Sequence, residues 1–233
     1  MDKDEAFVLH ALWELRAELL SLLNEDAALG FNIPHDPRHI RESIAALLER
    51  GLIEAHEGAG APIAPAAVLD MMQGIPTPLS NDAAWCMAGQ NRGRCVLGLT
   101  EAGGAAWEAL FRPRWDAYVG TDVWDIGGRD WHGFGAFNRP RLEAAVERLE
   151  AAANAIEGVT AHLEISPAAA GKVVYWKKTG GWRAILMDGS GAPLLNIEDY
   201  DISFGGHFHE AFDAEGNGFY ENMRVTEEEV FGW

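Results

Sequence analysis

Hydrophobic residues recur at steps of three and four near the start of the chain, which is the period of an amphipathic helix. Val8, Leu12, Leu15 and Leu19 share one helical face when they are spaced in this way. The pattern continues with further leucines and contains neither proline nor glycine. It predicts one helix over Phe7–Leu23.

A turn-rich break, GFNIPHDP, separates this helix from the next apolar pattern. Asp36 precedes Pro37 at the start of RHIRESIAALLER, where Ile40 and Ile44 begin a second apolar face. An aspartate followed by proline is a common helix start, because the carboxylate accepts hydrogen bonds from backbone N–H groups and proline suits the first turn. The sequence predicts a second helix that ends at Gly51.

The next two apolar runs, GLIEAHE and RCVLGLT, are typical of two strands that pair with each other. Between them lies 58–93, a long segment rich in proline, alanine and glycine, in which APIAPAAVLDMMQG is expected to form a small helix. Thr100 then caps a third main helix. Its inward residues are predicted to be Ala106, Trp107 and Leu110.

Together these elements resemble a winged helix of the kind found in bacterial regulators. In that family a helix ending in a motif such as LLERGLIE is the recognition helix, and a motif such as LTEAG follows the wing. The resemblance covers residues 5–118, with 58–93 as a long insertion in the wing. It implies a DNA-reading scaffold in which Arg38 and Arg41 would contact DNA.

The composition changes after FRPRWDAYVG, and the glycine-rich and aromatic segment DIGGRDWHGFG predicts a junction. A helix is expected over Arg141–Ile156. Six alternating runs predict antiparallel strands: VTAHLEI, KVVYWKK, GWRAILMD, LLNIEDYDISF, GHFHEAF and GFYENMRV. The predicted fold class is α+β, with a winged-helix-like domain over 1–118, a junction over 119–138, and over 139–233 a small α+β domain of one main helix and an antiparallel sheet.

Acidic residues outnumber basic ones 36 to 18, which gives a formal net charge of -18. Each half of the chain holds about twice as many acids as bases, and the arginines of the second predicted helix are balanced by as many acids. Non-specific DNA affinity comes from lysines and arginines that neutralise phosphates, so this surface is expected to repel nucleic acid and to attract basic partners. Acidity that serves solubility alone is the alternative.

Acidic and aromatic residues occur together in NIEDYDIS and in the C-terminal VTEEEVFGW. Large aromatic residues anchor protein interfaces, and carboxylates around them accelerate the encounter with a basic partner. The residues expected to contact such a partner are Glu198, Asp199, Asp201, Glu227, Glu228 and Glu229.

Candidate catalytic and metal residues are few. The sequence has no motif of nucleophilic catalysis or of phosphate binding, and Cys86 and Cys95 match no metal spacing. His207 and His209 leave the same face of a predicted strand, but no third ligand is recognisable. DAEGNGFYENMR begins like a calcium loop, yet Arg224 stands where the bidentate glutamate is needed. We therefore predict a non-enzymatic protein without a cofactor, with a metal-dependent enzyme built on the two histidines as one alternative.

The segment LTEAGGAAWEALFRPRW resembles part of uncharacterised bacterial proteins from toxin-immunity loci. The resemblance implies an immunity-type or antitoxin-like protein that neutralises a basic toxin effector, for example one directed at nucleic acid. The competing interpretation is a winged-helix transcriptional regulator with a C-terminal ligand-sensing domain. Acids within the first apolar stretch, and the lack of a run of about 18 apolar residues, predict a cytoplasmic protein with no membrane segment.

Overall fold

A computed structural model describes residues 1–14, 16–24, 36–58, 60–76, 79–80, 95–125, 130–154, 161–188 and 218–232. Contacts between residues divide the chain into two units. The first unit consists of Met1–Arg112 together with Thr226–Trp233, and the second consists of Pro113–Val225. Each unit combines helices with an antiparallel sheet, which confirms the predicted α+β class.

The first unit alternates short strands with helices. Its elements are α1 (Lys3–Leu12), β1 (Ala17–Glu18), α2 (Leu19–Leu23), α3 (Pro37–Glu49), β2 (Ile53–Glu57), β3 (Pro62–Ile63), α4 (Pro65–Gln73), β4 (Cys95–Leu99) and α5 (Glu101–Phe111). The strands form one antiparallel sheet in the order β1-β4-β2-β3. The predicted pairing of GLIEAHE with RCVLGLT is confirmed, since Ile53 lies opposite Leu99. The small helix expected within 58–93 is α4.

Two predicted helix starts are confirmed at the level of individual hydrogen bonds. The side chain of Asp36 accepts from the backbone N–H of Arg38 at 2.9 Å, and α3 opens with proline. Thr100 Oγ1 accepts from the backbone N–H of Gly103 at 3.1 Å and donates to the carbonyl oxygen of Gly51 at 2.8 Å. Both caps satisfy N–H groups that have no partner within the helix.

The core of the first unit lies between α1, α3, α5 and the sheet. Ile40 and Ile44 of α3 are fully buried, as their spacing predicts. In α5 the buried large residues are Trp107 and Phe111, whereas Ala106 and Leu110 are only half-buried. The helix approaches β2 closely at Gly103, where a Cβ atom would overlap the carbonyl oxygen of Leu52.

The prediction of one continuous helix over Phe7–Leu23 is wrong. α1 ends at Leu12, and the chain then forms the short edge strand β1, in which Ala17 pairs with Leu97 of β4. The leucines that follow lie in the separate helix α2, where four of them are buried. These apolar residues are therefore in the core, as predicted, although the backbone is not one continuous helix. The sheet edge supplies hydrogen-bond partners for β1 that a helical periodicity does not reveal.

The second unit is built on a four-stranded antiparallel sheet in the order β5-β6-β8-β7. Its elements are β5 (Val119–Asp125), β6 (Asp130–Ala136), α6 (Arg139–Asn154), β7 (Ala161–Ala168), β8 (Gly181–Asp188) and α7 (Gly218–Phe231). The helix α6 packs on the sheet, and its residues Leu142, Ala145 and Val146 are buried. Residues of α7 from Thr226 onward belong to the first unit.

The structure differs from the predicted organisation of the C-terminal half. Residues predicted as a junction, 119–138, include β5 and β6, and β6 is an inner strand that pairs with β8. The contact boundary lies between Arg112 and Pro113, and Thr226–Trp233 returns to the first unit. Pairing of β6 with β8, which lies far away in sequence, brings Gly133 and Gly135 into the sheet, and composition alone does not indicate this.

Two predicted strands are wrong. The run KVVYWKK forms turns between β7 and β8, and GFYENMRV forms the first half of α7. In α7 the buried residues Phe219, Met223 and Thr226 follow steps of four and three, so the helical period overrides the short alternation. The runs LLNIEDYDISF and GHFHEAF lie outside the described residues.

Candidate protein-binding surface

The outer face of α3 carries more acid than base. Ile40 and Ile44 place one face of this helix in the core. Arg38, Glu42 and Glu49 are exposed, and their spacing of four and seven places them along one stripe. We call these three residues the α3 stripe. With one cation and two carboxylates, it has the charge balance of a surface for basic partners.

Arg41, the second predicted DNA contact, has a structural role. Its Nη1 donates to the carbonyl oxygen of Met72 at 2.6 Å, and its Nη2 donates to that of Ile75 at 2.7 Å. These acceptors lie in the last turn of α4 and just after it, where helix carbonyls lack partners within the helix and carry the negative end of its dipole. The guanidinium thus caps α4, and two of its donor groups are used within the first unit.

Other cations of the first unit also contact oxygen atoms of the same unit. Arg50 Nη1 lies 2.7 Å from Glu5 Oε1, and this carboxylate is largely buried. Lys3 Nζ donates to the carbonyl oxygen of Phe231 at 2.8 Å. The remaining ion pairs of this kind are Arg16 with Glu54 and Arg112 with Glu229. In the described part of the first unit, Arg38 is the one arginine or lysine for which no such contact is found.

The C-terminal acids predicted to bind a partner are Glu227, Glu228 and Glu229. Glu227 Oε1 lies 3.0 Å from His10 Nε2, and Glu229 pairs with Arg112, so both carboxylates contact groups of the first unit. Glu228 is exposed, and its backbone oxygen accepts from Gly232. The other predicted partner residues, Glu198, Asp199 and Asp201, and the candidate metal pair His207 and His209 lie outside the described residues.

A buried histidine lies at the centre of the first unit. The indole N–H of Trp107 is a donor only, and it donates to His10 Nδ1 at 3.3 Å. This contact leaves Nε2 of the ring as the donor to Glu227. The imidazole stacks on Phe111 with ring centroids 4.6 Å apart and meets the edge of Phe231 at 6.1 Å. His10 therefore links α1, α5 and α7.

An aromatic cluster in the second unit surrounds an amino group. Lys177 Nζ lies 4.7 Å from the centroid of Trp115, 5.5 Å from Trp176 and 5.8 Å from Phe137. Behind Trp115 lies the buried ring of Phe219, at a centroid distance of 5.5 Å. A second, simpler contact of this type places Arg139 Cζ 4.7 Å above Trp182.

The described cysteine is not arranged for catalysis. Cys95 is buried in β4, and burial raises the pKa of its thiol to about 11. A thiol with this pKa remains protonated at neutral pH and is a poor nucleophile. In the described ranges, no group of three or more His, Cys, Asp or Glu side chains is arranged to hold a metal ion.

Sequence reasoning missed the cap formed by Arg41, the buried position of His10 and the rings around Lys177. Each of these contacts joins residues that are far apart in sequence, and neither the spacing nor the composition of the sequence predicts such contacts. A partial signal was present for Lys177, because KVVYWKK follows a predicted strand and precedes glycine residues that favour a turn.

Among the described helices, none has both the length and the apolar character required to span a bilayer. No family model, curated protein or solved structure matches the chain. The functional conclusion therefore depends on the chain's own residues.

Proposed function

We propose that this chain is a non-enzymatic, cytoplasmic protein of the immunity or antitoxin type, which binds and neutralises a basic toxin effector. Exposed carboxylates would occupy the positions that phosphate groups take on such an effector. The contacting residues are the acids of the α3 stripe, exposed Glu228, and the acidic segment with Glu198, Asp199 and Asp201. The net charge of -18 supports an encounter with a cationic partner.

The observation that carries the proposal is the engagement of Arg41 by the carbonyl oxygens of Met72 and Ile75. A helix that reads DNA presents arginines to phosphates and base edges. Here the central arginine caps a neighbouring helix, and Glu42 and Glu49 are exposed on the same helix. The balance of exposed charge along α3 supports a protein partner.

The scaffold proposed for this function is winged-helix-like. In its support, α3 leads into β2, β2 pairs with β4, and the Thr100-capped helix α5 follows directly. The short strand β1 joins the other side of β4. We infer that a scaffold of DNA-reading type serves protein recognition in this chain, with α4 inserted between the two wing strands.

The test uses the full chain and the purified product of the adjacent gene, and it measures the dissociation constant at two salt concentrations. We expect a complex whose affinity falls by about tenfold or more between low and high salt, because screening weakens attraction between exposed charges. The absence of a complex, or an affinity that does not change with salt, would count against the proposal.

The competing function is a transcriptional regulator, and the exposed Arg38 in the first turn of α3 favours it. Residues near the start of a recognition helix contact base edges. A gel-shift with the upstream intergenic DNA at low salt separates the two functions. Specific retention that disappears on Arg38→Ala would support the regulator. Arg38→Ala is preferred to Arg41→Ala, because Arg41→Ala also removes the cap of α4 and so changes the structure.

A further inference from the structure

The rings of Trp115, Phe137 and Trp176 form what we call the aromatic cage. The plane of Trp115 makes an angle of 81° with Phe137 and of 64° with Trp176, so the rings approach from different directions. Lys177 Nζ lies within 6 Å of all three ring centroids. This distance is within the range in which the electron-rich face of an aromatic ring attracts a cation.

The walls of the cage are held in place by the second unit. Trp115 lies in a turn in which its N–H donates to the carbonyl of Pro113, and Tyr118 N–H donates to the carbonyl of Trp115. The buried rings of Tyr118 and Phe219 pack against Trp115 with centroid distances of 5.5 Å. A site whose walls are ordered before binding loses little conformational entropy when a ligand enters.

The present occupant of the cage, Lys177, lies in the same turn as Trp176. Lys177 lies between β7 and β8, where its N–H donates to Val174 and its carbonyl accepts from Gly171. Trp115 and Phe137 are only half-buried, so the cage is partly accessible to solvent. Rotation about the flexible stem of the lysine can withdraw the ammonium while the turn keeps its backbone bonds.

We propose that the aromatic cage is a binding site for alkylammonium cations and that Lys177 is its intramolecular competitor. A quaternary ammonium carries no N–H group that must keep a hydrogen-bond partner, so it enters a cage of rings at lower cost than a primary ammonium does. The ligand is either a free quaternary ammonium compound or a methylated lysine on another protein. This site is independent of the acidic surface proposed above.

The experiment follows the indole N–H signals of Trp115 and Trp176 by NMR while tetramethylammonium chloride is added to the full chain. In Lys177→Ala we expect saturable shifts of both signals, with an affinity about tenfold higher than in the wild type, because a tethered competitor acts at high effective concentration. Lys177→Gln, which removes the charge but keeps a long side chain, should also raise the affinity for tetramethylammonium. Sodium chloride at equal ionic strength should give no saturable shift.

Arg139→Ala is the matched control, because it uncovers the single ring of Trp182 and should create no saturable site. Adding Phe137→Ala to Lys177→Ala should weaken binding again. A peptide with one trimethyl-lysine identifies a protein-borne ligand if it binds more tightly than tetramethylammonium does, and a small-molecule ligand if it does not. The proposal is overturned if Lys177→Ala and Lys177→Gln show no saturable shifts, or if Phe137→Ala leaves the affinity unchanged.

Discussion

Arg41 of the first unit and Lys177 of the second unit are held in different ways. In the first unit, arginine and lysine groups contact carboxylates and helix carbonyls, as Arg50 does with Glu5 and Arg41 does with Met72. In the second unit, Lys177 lies over aromatic rings, whereas Arg139 lies over Trp182 and also donates to Glu143 Oε1 at 2.7 Å. Carboxylates and carbonyls satisfy charge through directed hydrogen bonds, whereas ring faces attract charge with little direction. The first arrangement fixes cations in structural roles, and the second leaves a site that another cation can enter.

The largest expected effect comes from the histidine at the centre of the first unit. His10→Leu leaves the buried indole N–H of Trp107 without its acceptor and removes the partner of Glu227. We expect the free energy of unfolding to fall by about 3 kcal/mol, because a buried donor that loses its partner pays its full desolvation cost. Denaturant unfolding measures this change. His39→Leu is the control, since His39 is 61% exposed and should change stability by less than about 0.5 kcal/mol.

The next effect tests the structural role of Arg41. Arg41→Met removes two charge-assisted donors from the carbonyl oxygens at the end of α4, and we expect a loss of about 2 kcal/mol in the free energy of unfolding. Arg41→Lys should recover only part of this loss, since a single ammonium cannot reproduce the fork of the guanidinium. Equal stability of Arg41→Met and the exposed control Arg38→Met would contradict the assignment.

A smaller effect is expected for the ion pair between Arg50 and Glu5. A double-mutant cycle on Arg50 and Glu5 should give a coupling of about 1 kcal/mol at low salt, discounted because Arg50 is 45% exposed. The coupling should fall by about half in 1 M salt, where the Debye length is about 3 Å. Unfolding of the single and double variants at both salt concentrations measures it. A coupling that does not respond to salt would contradict the assignment of this contact as an ion pair.

The smallest effect concerns Lys177. Lys177→Met should lower the free energy of unfolding by about 0.5 to 1 kcal/mol, because the rings lose their cation but keep an unbranched apolar neighbour. Thermal unfolding compared with Lys172→Met, an exposed lysine of the same turn region, isolates the contribution of the cage. We expect a clear difference between these two variants, and matching melting temperatures would show that the rings do not stabilise the ammonium.

The sequence predicted those parts of the fold that depend on local signals. Asp36 and Thr100 cap helices at the positions predicted from the local sequence. The strand β8 coincides with the alternating run GWRAILMD. Where contacts between distant residues determine the backbone conformation, the sequence did not predict the secondary structure. β1 forms because β4 offers its edge, and KVVYWKK turns because Val174 and Trp176 are buried in the second unit.

The candidate surface was only partly predictable for the same reason. The excess of acid is a property of composition, and it can be counted from the sequence. Which cations are already engaged is a property of the fold, since Arg41 meets its acceptors 31 and 34 residues away. The cage around Lys177 likewise joins Trp115 and Phe137, which are distant in sequence.

The central claim is that the exposed carboxylates of α3, and not the arginines of that helix, contribute to the contact with the partner. The most direct test compares two double variants. The first combines Glu42→Lys and Glu49→Lys. The second combines Glu147→Lys and Glu164→Lys, which change the net charge by the same amount at exposed positions of the second unit. The dissociation constant for the product of the adjacent gene should rise by about tenfold or more for the first pair and by much less for the second. Equal weakening by both pairs, or tighter binding by the first, would contradict the account.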